Sequence, residues 1–185
     1  MAHYGEDQHV VSAYWNFCRF SGERKKMRQK NRRLLVFQHL QVEHPGIFRD
    51  FMHEKGIEWE VVELNKGDAI PSLTEYDGLW VMGGPMDVWE EEQYPWLKRE
   101  KAAIREAVGD RQLPFLGVCL GHQLCADALG GEVGLSLVPE VGIHEVEKTD
   151  VGRRCAFLGD LPSVMPCLQW HAAEIRKPPP GASVL

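Results

Sequence analysis

The stretch FLGVCLGHQL, Phe115 to Leu124, sets a cysteine between two glycines, with an apolar run before it and an amphipathic run after it. A thiolate there could attack a carbonyl carbon and carry the acyl group as a thioester. A strand that ends in Gly-x-Cys-x-Gly and turns at once into a helix has the pattern of a nucleophile elbow, with cysteine where another class of hydrolases has serine. Gly117 and Gly121 leave room for the tight turn. The turn holds Cys119 in a strained backbone conformation and lifts its sulfur above the carboxyl edge of a sheet, where open α/β folds bind ligands. The helix start favours thiolate over thiol, and the N–H of Leu120 faces the position where an oxyanion would develop. A second feature is Gly83-Gly84-Pro85, which follows a different strand. Paired glycines let backbone N–H groups approach a bound carbonyl without obstruction. Either motif alone has an equally good structural reading, a small buried cysteine or an ordinary turn. Together at sheet edges they point to one shared oxyanion site.

The elements that must position these residues begin at Arg33. Leu34 to Gln38 is a continuous apolar run of the kind expected in a strand covered on both faces. HPGIFRDFMHEKG follows as a helix with Ile47, Phe48, Phe51 and Met52 at helical spacing and Gly56 placed to end it. Ile57 to Leu64 alternates as a second strand, and Leu79 to Met82 forms a third that stops at the Gly-Gly-Pro turn. PWLKREKAAIREAVGD is the clearest helix, with Pro95 near its start. LPFLGV is a fourth strand, and GHQLCADALGG is a helix closed by its glycines. Strands alternating with helices predict an α/β fold, a mostly parallel sheet with helices on both faces. Beyond Gly131 the signal weakens: VGIHEVEKT reads as a half-exposed strand, FLGDLPS as a turn and CLQWHAAEI as a strand running into Pro178, Pro179 and Pro180.

The chain has 185 residues, 44% hydrophobic and 26% charged, which fits one globular domain and neither a disordered nor a fibrous class. A formal net charge of -6 offers no general attraction for nucleic acid or anionic lipid, so a small-molecule substrate is expected. The 5 cysteines form no CxxC pair and no metal-type spacing, as expected of reduced thiols. No window is long and apolar enough to span a bilayer, and Glu6 and Asp7 stand where a secretory signal would be positive. The expected location is the cytoplasm, with no membrane or nucleic-acid partner. Residues 1–33 differ in composition and contain the basic run RFSGERKKMRQKNRR. They read as a poorly ordered, solvated extension in preference to a nucleic-acid arm, because the rest of the chain is acidic. Cys125, Cys155 and Cys167 read as packing residues, and His39, His44 and His53 do not converge at metal spacing. Glu90, Glu91 and Glu92 read as a solvated face; Trp89, Tyr94 and Trp96 read as packing.

LWVMGGPMDVWEE followed by LPFLGVCLGHQLCADALGGEVG resembles the class I glutamine amidotransferases, particularly stand-alone members similar to the amidotransferase domain of GMP synthase. The similarity covers roughly Leu34 to Leu185. It implies a flavodoxin-like three-layer sandwich and hydrolysis of the side-chain amide of glutamine through a γ-glutamyl thioester on Cys119; no cofactor is expected, and no metal given the absent ligand spacing. It further implies an oxyanion hole from backbone groups of Gly84 and Leu120, and substrate binding by Gly83, Gln123 and His171. Ammonia would pass to a synthetase partner, for which this chain carries no domain.

A cysteine nucleophile needs a base, usually a histidine oriented by a carboxylate. The family carries these as a His-x-Glu motif near the domain's C-terminus. From His3 to His171, no histidine here is followed two places later by Asp or Glu. QWHAAEI offers His171 and Glu174, but the family pattern upstream of the base matches it better, which implies a place beside the glutamine site. The expectation is an incomplete domain over residues 34–185 that lacks its last strands, and whose glutaminase turnover is very low although Cys119 still alkylates. Two alternatives remain open: a cysteine hydrolase of γ-glutamyl peptides, and a non-catalytic glutamine-binding module.

Overall fold

A computed structural model describes residues 32–185; the expectations for the basic N-terminal extension fall on residues 1–31, outside the described residues, apart from its last two positions. Four strands, β1 (Arg33–Gln38), β2 (Glu58–Glu63), β3 (Gly78–Val81) and β4 (Phe115–Gly117), form one sheet in the order β2-β1-β3-β4. Every pairing in it is parallel: Val36 lies beside Val61 on one side and Trp80 on the other, and Trp80 lies beside Leu116.

The apolar run of β1 explains why this strand is central. Leu35, Val36 and Phe37 are all fully buried, and successive side chains point to opposite faces. Leu35 and Phe37 join Leu79 and Val81 beneath α2 (Trp96–Arg105) and α3 (Leu120–Ala128), which contribute Leu97, Ile104, Leu120 and Leu124. Val36 joins Trp80 and Met82 beneath Met52 of α1 (Phe48–Glu54) on the other face. Helices thus cover both faces, giving the three-layer α/β sandwich expected. The clear helical periodicity of α2 corresponds to its buried side; directly after it Glu106–Asp110 continues as a π-helix.

Helix α1 differs from expectation. Only Met52 is buried; Ile47, Phe48 and Phe51 stay largely exposed, with Phe48 set edge-on to Trp80 at 5.2 Å. The helix starts at Phe48, leaving Ile47 outside as its cap, and a helix this short presents one inward position to the sheet. Gly56 ends it with φ 62, as the sequence suggested.

After α3 the chain forms a long antiparallel ribbon, β5 (Glu132–Glu147) with β6 (Val164–Lys177). Both strands exceed the segments read from sequence. The reason is the inverted burial of their apolar residues: Ile143 and Leu168 face each other across the strands while 77% and 71% exposed, so no buried stripe marked the element. Between them lies the short α4 (Asp150–Arg154), where the sequence suggested no helix; the Thr149 hydroxyl caps it by accepting from the Gly152 N–H at 3.1 Å. Among the described residues no helix is long and apolar enough to cross a membrane.

The strand order sets the place for chemistry. From β1 the chain steps to β2 on one side and returns to β3 on the other, so a crevice opens between the carboxyl ends of β1 and β3. His39 follows β1, Gly83-Gly84 follows β3 and Cys119 follows β4 at that same edge.

Candidate active site

Cys119 takes φ 51 and ψ -109 between β4 and α3. A side chain larger than glycine in this region costs about 1–3 kcal/mol, and persists only where the surroundings fix it. Here the two flanking glycines do so. A Cβ on Gly117 would stand 2.7 Å from the backbone of Gly121 and the nitrogen of His122, and a Cβ on Gly121 would run into the Val81 carbonyl. The Val118 N–H donates to that carbonyl oxygen at 2.9 Å, tying the end of β4 to the end of β3.

The Gly-Gly turn lies directly against this elbow. A Cβ built on Gly83 would lie 3.6 Å from the Cys119 Cβ and 2.7 Å from Glu43 Oε2; one built on Gly84 would lie 3.0 Å from Leu120 Cδ2 and 3.1 Å from the His39 Cβ. The structure therefore brings Gly83, Gly84, Cys119 and Leu120 together, and adds Glu43 and His39, which the sequence did not place there.

Electrostatics depart from the expectation of a ready thiolate. Burial pushes the Cys119 thiol above its ordinary value, the Leu120 N–H pulls the other way, and the Glu43 carboxylate raises it further.

Gln123 is buried on α3, and its Nε2 donates to the Ala173 carbonyl at 3.0 Å, linking helix α3 to β6. His171, two residues before Ala173 on β6, pairs through Nε2 with Glu140 Oε2 at 3.1 Å and Gln169 Oε1 at 3.2 Å. Its Nδ1 is buried with no hydrogen-bond partner among the described residues. A His-x-Glu spacing cannot reveal this histidine–carboxylate pair, because Glu140 comes from the opposite strand, in register with His171.

His39 is the functional candidate that sequence reasoning passed over. Its Nδ1 lies 2.7 Å from the Gly83 oxygen and its Nε2 2.9 Å from Glu100 Oε1. Both side chains are fully buried, and the ring stacks on Trp96 at 5.3 Å with 16° between planes. A carbonyl can only accept, so Nδ1 carries a proton. Burial alone would push the imidazole down, but the hydrogen bond and charge of Glu100, then the Gly83 carbonyl and Glu43, outweigh it, and the net direction is up. The usable signal was position: the polar pair Gln38-His39 directly follows the apolar run Leu34–Phe37 at the carboxyl end of the central strand.

The remaining candidates have packing roles. Trp96 forms the floor beneath His39, and Trp89 stays half exposed. Glu91 is not simply solvated: it binds Lys101 Nζ at 2.8 Å, and Lys101 also holds Asp127 of α3 at 2.6 Å. Cys125 is buried, which pushes its thiol to about 12. Among the described residues no group of three or more His, Cys, Asp or Glu side chains could hold a metal ion.

Comparison with known proteins agrees with this arrangement. A family model, glutamine amidotransferase class-I, matches residues 46–185. The chain is 38% identical over 135 residues to the glutamine-hydrolyzing GMP synthase of Aeropyrum pernix, covering 72% of this chain and 24% of that protein. It is 31% identical over 126 residues to one of the subunits of the glutamine-hydrolyzing GMP synthase of Sulfolobus acidocaldarius, covering 68% of this chain and 62% of that polypeptide. The crystal structure of a glutamine amidotransferase from Thermotoga maritima superposes with a TM-score of 0.75 at 32% identity, covering 80% of this chain and 64% of that one. The chain thus spans less than two thirds of the length of each of these relatives.

Proposed function

This chain belongs to the class I glutamine amidotransferase family, and on that premise we propose that Cys119 is the nucleophile of a glutaminase site formed by residues 34–185, with residues 1–33 as a separate extension. The Cys119 thiolate attacks the side-chain amide carbon of glutamine. The oxyanion that forms faces the N–H groups of Gly84 and Leu120. The carbon–nitrogen bond then breaks, the amine leaves as ammonia once it has taken up a proton, and water hydrolyses the γ-glutamyl thioester to glutamate. Gly83, Gln123 and His171 line the substrate's amino-acid end. Ammonia passes to a synthetase partner in the cytoplasm, a reading supported by the similarity to glutamine-hydrolyzing GMP synthases. The observation that carries the proposal is Cys119 at φ 51 with the Gly-Gly turn so near that a Cβ built on Gly83 would lie 3.6 Å from the Cys119 Cβ.

Turnover by residues 1–185 alone is slow. The thiol is pushed up by burial and by the Glu43 carboxylate, and no histidine of the sequence stands two places before an Asp or Glu, as a triad base of this family would. Ammonia release from glutamine, measured beside Cys119→Ala, tests this: a rate near the variant's background is expected, and brisk Cys119-dependent release would show that a base is at work. The same raised thiol favours a second reading, a module that binds glutamine without hydrolysing it. Equilibrium binding of glutamine with no thioester formed on Cys119 would support that reading against the first. Cleavage of a γ-glutamyl dipeptide faster than glutamine would assign the site to γ-glutamyl peptides instead.

A further inference from the structure

A buried histidine–carboxylate pair one layer behind a reaction centre needs a reason, because paired buried charges contribute little net stability compared with apolar residues of the same volume. His39 and Glu100 are such a pair: both fully buried, 2.9 Å apart, on different elements, with the second carboxylate oxygen of Glu100 buried and without a hydrogen-bond partner among the described residues. The other ring nitrogen, Nδ1, is fixed on the Gly83 carbonyl at 2.7 Å. That carbonyl belongs to the same peptide group as the Gly84 N–H. A planar peptide points its C=O and N–H in opposite directions, so gripping the oxygen fixes where the N–H aims. Gly83 and Gly84 have no side chains to restrict the turn, and an ungripped Gly-Gly peptide could flip. Trp96 stacks on the ring, and Gly84 lies close enough that a Cβ there would stand 3.1 Å from the His39 Cβ and 3.2 Å from Nδ1, so the imidazole is confined from both sides.

We infer that His39, anchored by Glu100, is a positioning residue that holds the Gly83–Gly84 peptide with its N–H directed at the oxyanion of an acyl group on Cys119. This rests on the nucleophile role given to Cys119 above. His39 donates from Nδ1 to the Gly83 oxygen, and Glu100 sets the ring's rotation and keeps Nδ1 protonated. The groups facing His39 are Glu100 from α2, Glu43 from the loop after β1 and the Gly83 carbonyl from the loop after β3.

The test separates two reactions of the same sulfur in the full chain. Acylation by p-nitrophenyl acetate passes through an oxyanion: the thiolate bonds to the carbonyl carbon, and the ester bond then breaks with p-nitrophenolate taking the electron pair, so no general acid is needed. Alkylation by iodoacetamide displaces iodide at a saturated carbon and needs only the thiolate. His39→Gln removes the donor to Gly83, whereas His39→Asn places an amide nitrogen near the position of Nδ1. The expected result is a Cys119 acylation rate about 10-fold to 100-fold lower in His39→Gln, recovery to within about 5-fold of the parent in His39→Asn, and iodoacetamide rates within about 2-fold for all. Glu100→Gln, which keeps the volume, should lower acylation less than His39→Gln, again with alkylation unchanged; it serves as the readout if His39→Gln does not fold. Equal acylation in all variants, or acylation and alkylation falling together, would overturn the positioning role. Acylation that persists in Cys119→Ala would instead remove the nucleophile reading beneath it.

Discussion

At the residue scale the site divides into what one short stretch dictates and what only tertiary structure supplies. The elbow was legible because its causes are local: Gly117 and Gly121 are glycines for steric reasons that lie within a few residues of Cys119 or on the adjoining strand end. The His39–Glu100 pair was not legible, since the two residues are 61 apart in sequence and neither belongs to a recognisable spacing. Glu43 was hidden in the same way, yet its charge is one of the two influences that hold the Cys119 thiol up. Replacing Glu43 by Gln removes a negative charge that opposes thiolate formation, so the thiol should ionise at lower pH. The iodoacetamide rate against pH should then shift to the acid side relative to the parent. An unchanged profile would mean that burial alone sets the thiol.

At the element scale the strands of the parallel sheet and the helix α2 were readable from continuous apolar runs and helical periodicity, because each buries a definite face. The ribbon of β5 and β6 was underestimated: Val141, Ile143, Leu168 and Trp170 sit on an exposed face, so apolar spacing carried no information about its length. Elements also meet through Lys101, whose buried ammonium joins Glu91 in the loop after β3 to Asp127 on α3. Lys101→Ala should cost about 1–3 kcal/mol in urea unfolding, since two half-buried carboxylates lose their shared cation. A larger loss is expected for Gly121→Ala, because its Cβ meets the backbone carbonyl of Val81 and neither strand nor helix can retreat cheaply. A Gly121→Ala protein as stable as its parent would show that the helix and strand end are not in this close contact.

For the whole molecule, two histidines impose opposite pH dependences. Burial pushes His122 down to about 4 from 6.5. The unfolded chain therefore binds more protons than the folded one across that window, and stability rises with pH through it. His39 is raised, so its contribution is fully present below 6.5 and is lost as pH climbs through the higher folded value. Urea unfolding at about pH 4.5 and about pH 7 should show a smaller stability difference in His122→Gln than in the parent; an equal difference would contradict the burial of a neutral His122. The fold class and the family could be read from the sequence because the four strands, the helices after β1, β3 and β4, and the Gly-Gly and elbow loops are each marked by local apolar runs and glycines. The electrostatic state of the sulfur could not, because it depends on tertiary burial and on the Glu43 carboxylate, which comes from the distant loop after β1. The most direct test of Cys119 as the nucleophile of a glutamine site is the intact mass and peptide map of the chain after treatment with a chloroketone analogue of glutamine. One adduct on Cys119, slowed by glutamine and absent from Cys119→Ala, is expected. Labelling spread over Cys125, Cys155 and Cys167, or labelling of Cys119 that glutamine does not slow, would contradict it.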